Sequence, residues 1–447
     1  MVYKYMTGFG NHFESESIKG ALPVGQNTPK KAPHGLYTEQ LSGTAFTVPR
    51  AGNARSWLYR IRPSVIHKPF VKYHEKQEEE DMKMHVTPAQ LRWAPFEPKV
   101  DEKEKGKSGR VDFVDGMRKL CESGHPELRE GLAIYIYNFN QGMSEGKRSF
   151  FSSDGDFLIV PQEGGLLIQT EFGNMEVRPL EIAVIQCGMK FTVNKIDGES
   201  NLEYFRGYIL EVYSGHFSLP DLGPIGANGL ANPRDFLVPV ARYEKIDTGV
   251  EYQIINKMQG QYFKATQAHS PYDVVAWHGN YVPYKYDLTK FCVVNSVSYD
   301  HLDPSIFTVL TCKSTRPGTA VADFVIFPPR FAVQQNTFRP PYFHRNVMTE
   351  FIGLISGHYE AKKEGFMPGG ASLHSMAIPH GPDTATVKRE SCRVDEPERV
   401  AEGTMSFMFE SMFQMKVADW ALNKDGKVDE NYYKAWEDMP VTFTESE

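Results

Sequence analysis

Three runs decide the reading of this chain: Asp154-Gly-Asp-Phe-Leu-Ile-Val-Pro161, Gly164-Gly-Leu-Leu-Ile-Gln-Thr170 and Val177-Arg-Pro-Leu-Glu-Ile-Ala-Val-Ile-Gln-Cys-Gly-Met-Lys-Phe191. Each is a short stretch rich in Leu, Ile, Val or Phe and bounded by Gly or Pro, the pattern of strands joined by turns. They place strands at 157–160, 166–170, 182–185 and 191–193. Outward from there, the same pattern predicts strands at 57–62, 132–137, 208–213, 252–255, 274–277, 291–297, 306–311, 324–327, 351–357 and 406–409. Helix is expected only at 113–123 and 430–438. Many short strands with few helices make sandwiches or barrels.

The second half carries turn glycines too, and adds groups that bind metals. Phe338-Arg-Pro-Pro-Tyr-Phe-His344-Arg-Asn-Val-Met-Thr-Glu350 is followed by Gly365-Phe-Met-Pro-Gly-Gly-Ala-Ser-Leu-His374 and by His380. Both halves resemble a cupin strand meander, but only the second has histidines at the ligand places. In a straight strand His344 and Glu350 would lie about 20 Å apart at ~3.3 Å per residue. In a helix they would sit on different faces. The chain must therefore reverse between them, and Arg345-Asn346 is the expected place because Asn tolerates left-handed backbone. The expected fold is mainly β and double cupin-like, a β-sandwich or jelly-roll. A boundary near 282–290 gives a larger N-terminal β domain, 1–285, a degenerate half without metal. The C-terminal cupin-type domain, 286–447, is the expected catalytic half and the one that keeps a metal.

At 447 residues and 41% hydrophobic content, the chain is long enough for two or three domains with sizeable cores. Its 49 basic and 56 acidic residues give a net charge of −7 and leave no basic block, so neither nucleic acid nor an anionic membrane is an expected partner. The five cysteines, Cys121, Cys187, Cys292, Cys312 and Cys392, form no C-x-x-C and are odd in number, which suits reduced thiols in the cytoplasm. No apolar run approaches the ~20 residues of a membrane span. Two charged runs, Glu78-Glu-Glu-Asp81 and 101–107, read as parts of a solvated loop over 72–110.

A lone histidine is usually a satisfied core or surface group. His12, His34, His67, His74, His85, His125, His216 and His269 are read that way, and so is His278 in Ala-Trp-His-Gly-Asn. The group His344, Glu350, His374 and His380, with His301 before it, differs because metal-competent residues gather on Gly- and Pro-rich turns. Two histidines and one carboxylate make the facial triad of non-haem Fe(II). The zinc signatures H-E-x-x-H and paired cysteines are missing, while manganese and nickel stay open on spacing alone. Gly223-Pro-Ile-Gly-Ala-Asn-Gly229 follows no strand and contains Pro224, so it reads as a loop and not a dinucleotide site.

Longer strings carry a family resemblance. Gln40-Leu-Ser-Gly-Thr-Ala-Phe46, Arg55-Ser-Trp-Leu-Tyr-Arg60, Leu219-Pro-Asp-Leu-Gly-Pro-Ile-Gly-Ala-Asn-Gly-Leu-Ala-Asn-Pro-Arg-Asp-Phe236, Phe338-Arg-Pro-Pro-Tyr-Phe-His-Arg-Asn346, Pro368-Gly-Gly-Ala-Ser-Leu-His-Ser375 and Pro379-His-Gly-Pro-Asp383 resemble the homogentisate 1,2-dioxygenase family almost end to end. The resemblance implies Fe(II) held by His344, Glu350 and His380, and cleavage of the homogentisate ring by O₂ to 4-maleylacetoacetate in tyrosine and phenylalanine catabolism. It implies His301, in Ser-Tyr-Asp-His-Leu-Asp-Pro-Ser, as proton acceptor from the substrate phenol. Tyr359, in Gly-His-Tyr-Glu, and His380 would contact substrate, Tyr359 holding its carboxylate or ring hydroxyl, with His374 beside them. A homohexamer, a dimer of trimers, is implied as well. Phe343 stands where a second tyrosine is expected, and the 72–110 segment looks divergent.

Two other readings remain. Another cupin ring-cleaving dioxygenase, acting on gentisate or hydroxyanthranilate, would share the triad but not the long N-terminal strings. A metal-free storage or binding cupin would have no use for the triad.

Overall fold

The computed structural model describes residues 3–73, 83–96, 109–196, 198, 202–245, 249–294, 298–299, 304–359 and 365–445. It is mainly β, with one α-helix among the described residues, Thr384–Glu390. The chain divides into two compact units. One comprises Met1–Met84, Glu97–Ser218 and Ala231–Lys290, and the other His85–Phe96, Leu219–Leu230 and Phe291–Glu447.

In the first unit the deciding stretch becomes strands that alternate between two sheets. Asp156–Glu163 and Glu181–Ile185 pair antiparallel in one. Leu166–Thr170, Gly173–Val177 and Phe191–Lys195 pair in the other. Phe157 of the first sheet meets Phe150 and Phe191 of the second, with ring centroids 5.7 and 6.4 Å apart, so an aromatic layer closes the sandwich. The turn at Gly164 demands glycine: its φ is +81°, and a Cβ there would lie 2.2 Å from the Phe205 ring.

One expected helix is a strand. Met117–His125 pairs with Glu130–Phe139, and the register slips between Lys119 and Cys121. That bulge breaks the two-residue alternation, so the buried residues fall at Met117, Leu120 and Cys121. The i, i+3, i+4 spacing imitates a helix. The expected helix at 430–438 reduces to a 3₁₀ turn, Tyr432–Ala435. The strand expected at 291–297 lies partly outside the described residues; its described part holds only a bridge from Cys292 to Leu230.

The second unit is built on six antiparallel strands: β1 Leu91–Trp93, β2 Thr308–Lys313, β3 Ala320–Phe327, β4 Thr349–Ser356, β5 Ala371–His374 and β6 Met405–Ser411. Their order across the sheet is β2-β3-β6-β4-β5-β1. Strand β1 corrects the reading of 72–110 as loop. The two charged runs lie outside the described residues, but Leu-Arg-Trp between them pairs with Ala371–Leu373, and Trp93 is fully buried. The apolar residues there outweigh the charge around them. On one face Val325, Met408 and Ile352 lie side by side across β3, β6 and β4, and join Ile306, Phe307, Leu354 and Phe366 in a core. On the other face the Phe351 and Phe409 rings stack at 5.9 Å.

Candidate metal centre

Two residues along the strands from Val325, Met408 and Ile352, on the same face, the apolar row gives way to an ionisable one. Asp323 lies opposite Glu410, Glu410 opposite Glu350, and Glu350 opposite His374. Residues directly opposite in a sheet share a face, so these four stand in line across β3, β6, β4 and β5.

His344 and His380 reach this row from outside the sheet. They form an isolated antiparallel bridge, each backbone N–H donating to the other's carbonyl at 3.0 and 3.1 Å. Such a pair projects both side chains to one side, and the imidazole centroids lie 4.2 Å apart. The His344 Nδ1–H donates to the Tyr342 carbonyl at 2.8 Å, and the His380 Nδ1–H to the Ile378 carbonyl at 3.0 Å. A carbonyl only accepts, so each ring carries a proton on Nδ1 and turns Nε2 inward. His344 Nε2 stands 3.3 Å from Glu350 Oε1, and His380 Nε2 stands 3.1 Å from Glu350 Oε2.

These separations suit a cation. Ligand bonds of about 2.1 Å meeting at right angles place neighbouring donor atoms about 3.0 Å apart. The donors of His344, Glu350 and His380 all lie within 4.8 Å of one another, the one group of this kind among the described residues. The donor set, two imidazoles and a carboxylate, fits a divalent transition metal with open positions left over. The electrostatics agree. Burial would raise the Glu350 carboxyl, but hydrogen bonds with the two imidazoles hold it well below the usual carboxylate range. The hydrogen bond with Glu350 raises His344 against the opposing effect of burial.

The reversal between ligands falls where expected but works differently. Asn346 does not take the left-handed conformation, and neither does any other residue from 344 to 350; its carbonyl accepts from Ala377 N at 2.7 Å. Asn346 acts through its side chain instead. Oδ1 accepts from Met348 N at 3.1 Å, while Nδ2 donates to Glu350 Oε1 at 3.2 Å and also to Glu410 Oε1. Glu410 is itself perturbed: burial, then the charges of Glu350 and Asp323, push its carboxyl up to about 7. Neither role was legible beforehand. The strand expected at 406–409 stops one residue before Glu410, and a carboxylate ending an apolar run was the available signal.

The cluster borders a cavity of about 340 Å³ walled by Phe307, Phe327, Ile352 and Met408. Tyr359 is on this wall, its ring edge-on to Phe366 at 5.5 Å. His374 lines the cavity too. Its ring stacks on His380 with centroids 4.3 Å apart, and its Nε2 bonds the Tyr432 hydroxyl at 2.9 Å. The structure thus brings together His344, Glu350, His374, His380 and Tyr359. His301 lies outside the described residues, and so does His74. Phe343 is exposed and does not line the cavity. The histidines read as structural include His278, within 3.3 Å of the Tyr59 hydroxyl, and His216, bonded to Asp156.

The homogentisate 1,2-dioxygenase N-terminal family matches residues 4–288, and its C-terminal counterpart matches residues 289–443. Proteins of that name are similar over nearly their whole length. The one from Homo sapiens is 57% identical over 445 residues, covering 99% of this chain and 97% of that protein. The Dictyostelium discoideum protein is 56% identical, covering 98% and 97%. The Arabidopsis thaliana protein is 53% identical, covering 99% and 93%. Among solved structures, a cupin 2 conserved barrel domain protein from Leptotrichia buccalis superposes with a TM-score of only 0.28 at 8% identity, covering 74% of this chain and 100% of that one. The two family matches and the extent of identity establish kinship, and the chain belongs to the homogentisate 1,2-dioxygenase family.

Proposed function

We propose that the chain is an Fe(II)-dependent dioxygenase that opens the homogentisate ring with O₂ to give 4-maleylacetoacetate, a step of tyrosine and phenylalanine breakdown. The observation that carries this reading is the convergence of His344 Nε2, His380 Nε2 and the Glu350 carboxylate, at 3.3 and 3.1 Å, beside a cavity of a small ligand's size. Iron held by these three residues would supply the redox chemistry that lets triplet O₂ react with a closed-shell ring.

The chain's own residues do the rest. The Tyr342 and Ile378 carbonyls each accept from the Nδ1–H of a ligand imidazole and so turn its Nε2 toward Glu350. His374, packed flat on His380 and tied to Tyr432, restrains that ring from turning. The apolar wall excludes water, and Tyr359 orients the substrate. A phenol of pKa ~10 must lose its proton at neutral pH, and an imidazole near 6.5 is a suitable acceptor; this reading assigns that role to His301. Catalysis belongs to 286–447, with 1–285 as a metal-free half. Assembly as a homohexamer and a cytoplasmic location complete the proposal. No helix among the described residues is long and apolar enough to cross a membrane.

The deciding experiment is anaerobic Fe(II) loading followed by O₂ uptake with homogentisate, gentisate and 3-hydroxyanthranilate in turn. Uptake with homogentisate, and maleylacetoacetate as product, is expected. Preference for gentisate would favour the related cupin dioxygenases, and failure to retain any metal would favour a binding cupin.

A further inference from the structure

Three guanidinium groups border the cavity, those of Arg330, Arg339 and Arg345. Two are committed to the protein. Arg339 donates to the Gln334 carbonyl from Nε at 3.1 Å and Nη2 at 2.8 Å, and to the Glu396 carbonyl from Nη1 at 2.8 Å. Arg330 is buried, lies 4.9 Å over the Phe307 ring and donates to the Pro328 carbonyl. Arg345 is different: it is exposed, and its side chain has no hydrogen bond or ion pair among the described residues.

A solvated arginine is ordinary on a surface. This one follows a candidate metal ligand directly in the chain and faces the same cavity as that ligand. Its backbone is held on both sides, by the His344–His380 bridge and by the side-chain bonds of Asn346. The chain carries −7 overall, and Glu350 and Glu410 line the cavity. An anionic substrate therefore needs a local cation with donors to spare, and a guanidinium offers a carboxylate two parallel N–H groups.

We propose that Arg345 receives the carboxylate of an aromatic acid whose ring hydroxyl points at His344, Glu350 and His380, and so selects acids over neutral phenols. The proposal rests on the homogentisate reading above. It leaves Tyr359 to hold the ring hydroxyl.

The test compares Fe(II)-loaded wild type, Arg345→Gln and Arg345→Lys with homogentisate and with its neutral amide, 2,5-dihydroxyphenylacetamide. Arg345→Gln should raise KM for the acid about 10- to 100-fold, the effect of losing one charge-assisted hydrogen bond. Its kcat should change little and its KM for the amide not at all, with Arg345→Lys in between. Equal effects on acid and amide, or none on the acid, overturn the proposal. Iron content and melting temperature matched to wild type keep misfolding out of the comparison. If wild type consumes no O₂ with homogentisate, the functional reading fails. Anaerobic titration of homogentisate binding then judges Arg345 separately, and unchanged affinity in Arg345→Gln refutes it.

Discussion

Asn346→Ala tests whether the ligand carboxylate is held from behind. The change removes three hydrogen bonds at once: to Glu350 Oε1 at 3.2 Å, to Glu410 Oε1, and from Met348 N at 3.1 Å. The bond to ionised Glu350 is of the kind worth about 1.5–3 kcal/mol. At 1.4 kcal/mol per tenfold, its loss lowers cation affinity by about 10- to 100-fold, the range found when groups supporting metal ligands are removed. The turn itself costs about a further 1 kcal/mol of stability through the bond to Met348. The assay is an anaerobic Fe(II) titration against a competing chelator, with thermal melting of the metal-free protein alongside. Affinity within about twofold of wild type would refute the reasoning, because Glu350 would then hold its orientation without the amide. A lowered melting temperature with unchanged affinity would leave Asn346 a role in the turn alone.

Three further outcomes follow from the geometry. His344→Ala and His380→Ala should each lose bound iron and O₂ uptake together, and a variant that keeps full iron by elemental analysis removes that residue from the ligand set. In the first unit, His216 bonds Asp156 through Nδ1 at 2.7 Å and the Gly43 carbonyl through Nε2 at 2.8 Å. Burial would lower this imidazole, but the Asp156 carboxylate raises it above its ordinary value. Its stabilising contribution is therefore complete below about pH 6.5 and lost as pH rises through the folded value. Urea unfolding should show wild type losing more stability than His216→Gln across that rise, and parallel pH profiles would contradict the assignment. Gly353→Ala would place a Cβ 2.3 Å from the ring of buried Phe407, directly opposite on β6. Such overpacking costs about 1–3 kcal/mol, and an unchanged melting temperature would show that Phe407 moves freely.

The strands and the gathering of metal-competent residues were legible because their signals are local. Alternation bounded by glycine and proline marks a strand wherever it occurs, and two histidines with a carboxylate advertise a metal by residue type. What failed was non-local. Met117, Leu120 and Cys121 imitate a helix because a bulge shifts the register against a partner strand. The helix Thr384–Glu390 was missed because it is short and rich in β-branched residues; its one clear sign was Asp383, which caps Thr386 N at 2.7 Å. Asn346 was recognised as a turn residue, yet which of its atoms did the turning depended on Glu410, sixty-four positions away. Glu410 became meaningful only when sheet pairing set it between Asp323 and Glu350.

The His344–His380 bridge has a mechanical consequence. Neither histidine belongs to the sheet, whereas Glu350 does, so an ion shared by the three would rivet two surface segments onto β4. Closing such loops restricts the unfolded chain, and the loop between Glu350 and His380 includes all of β5. Loss of such an ion would release the stretch between β5 and the helix Thr384–Glu390, and the metal-free protein should be cut there sooner than the metal-bound one.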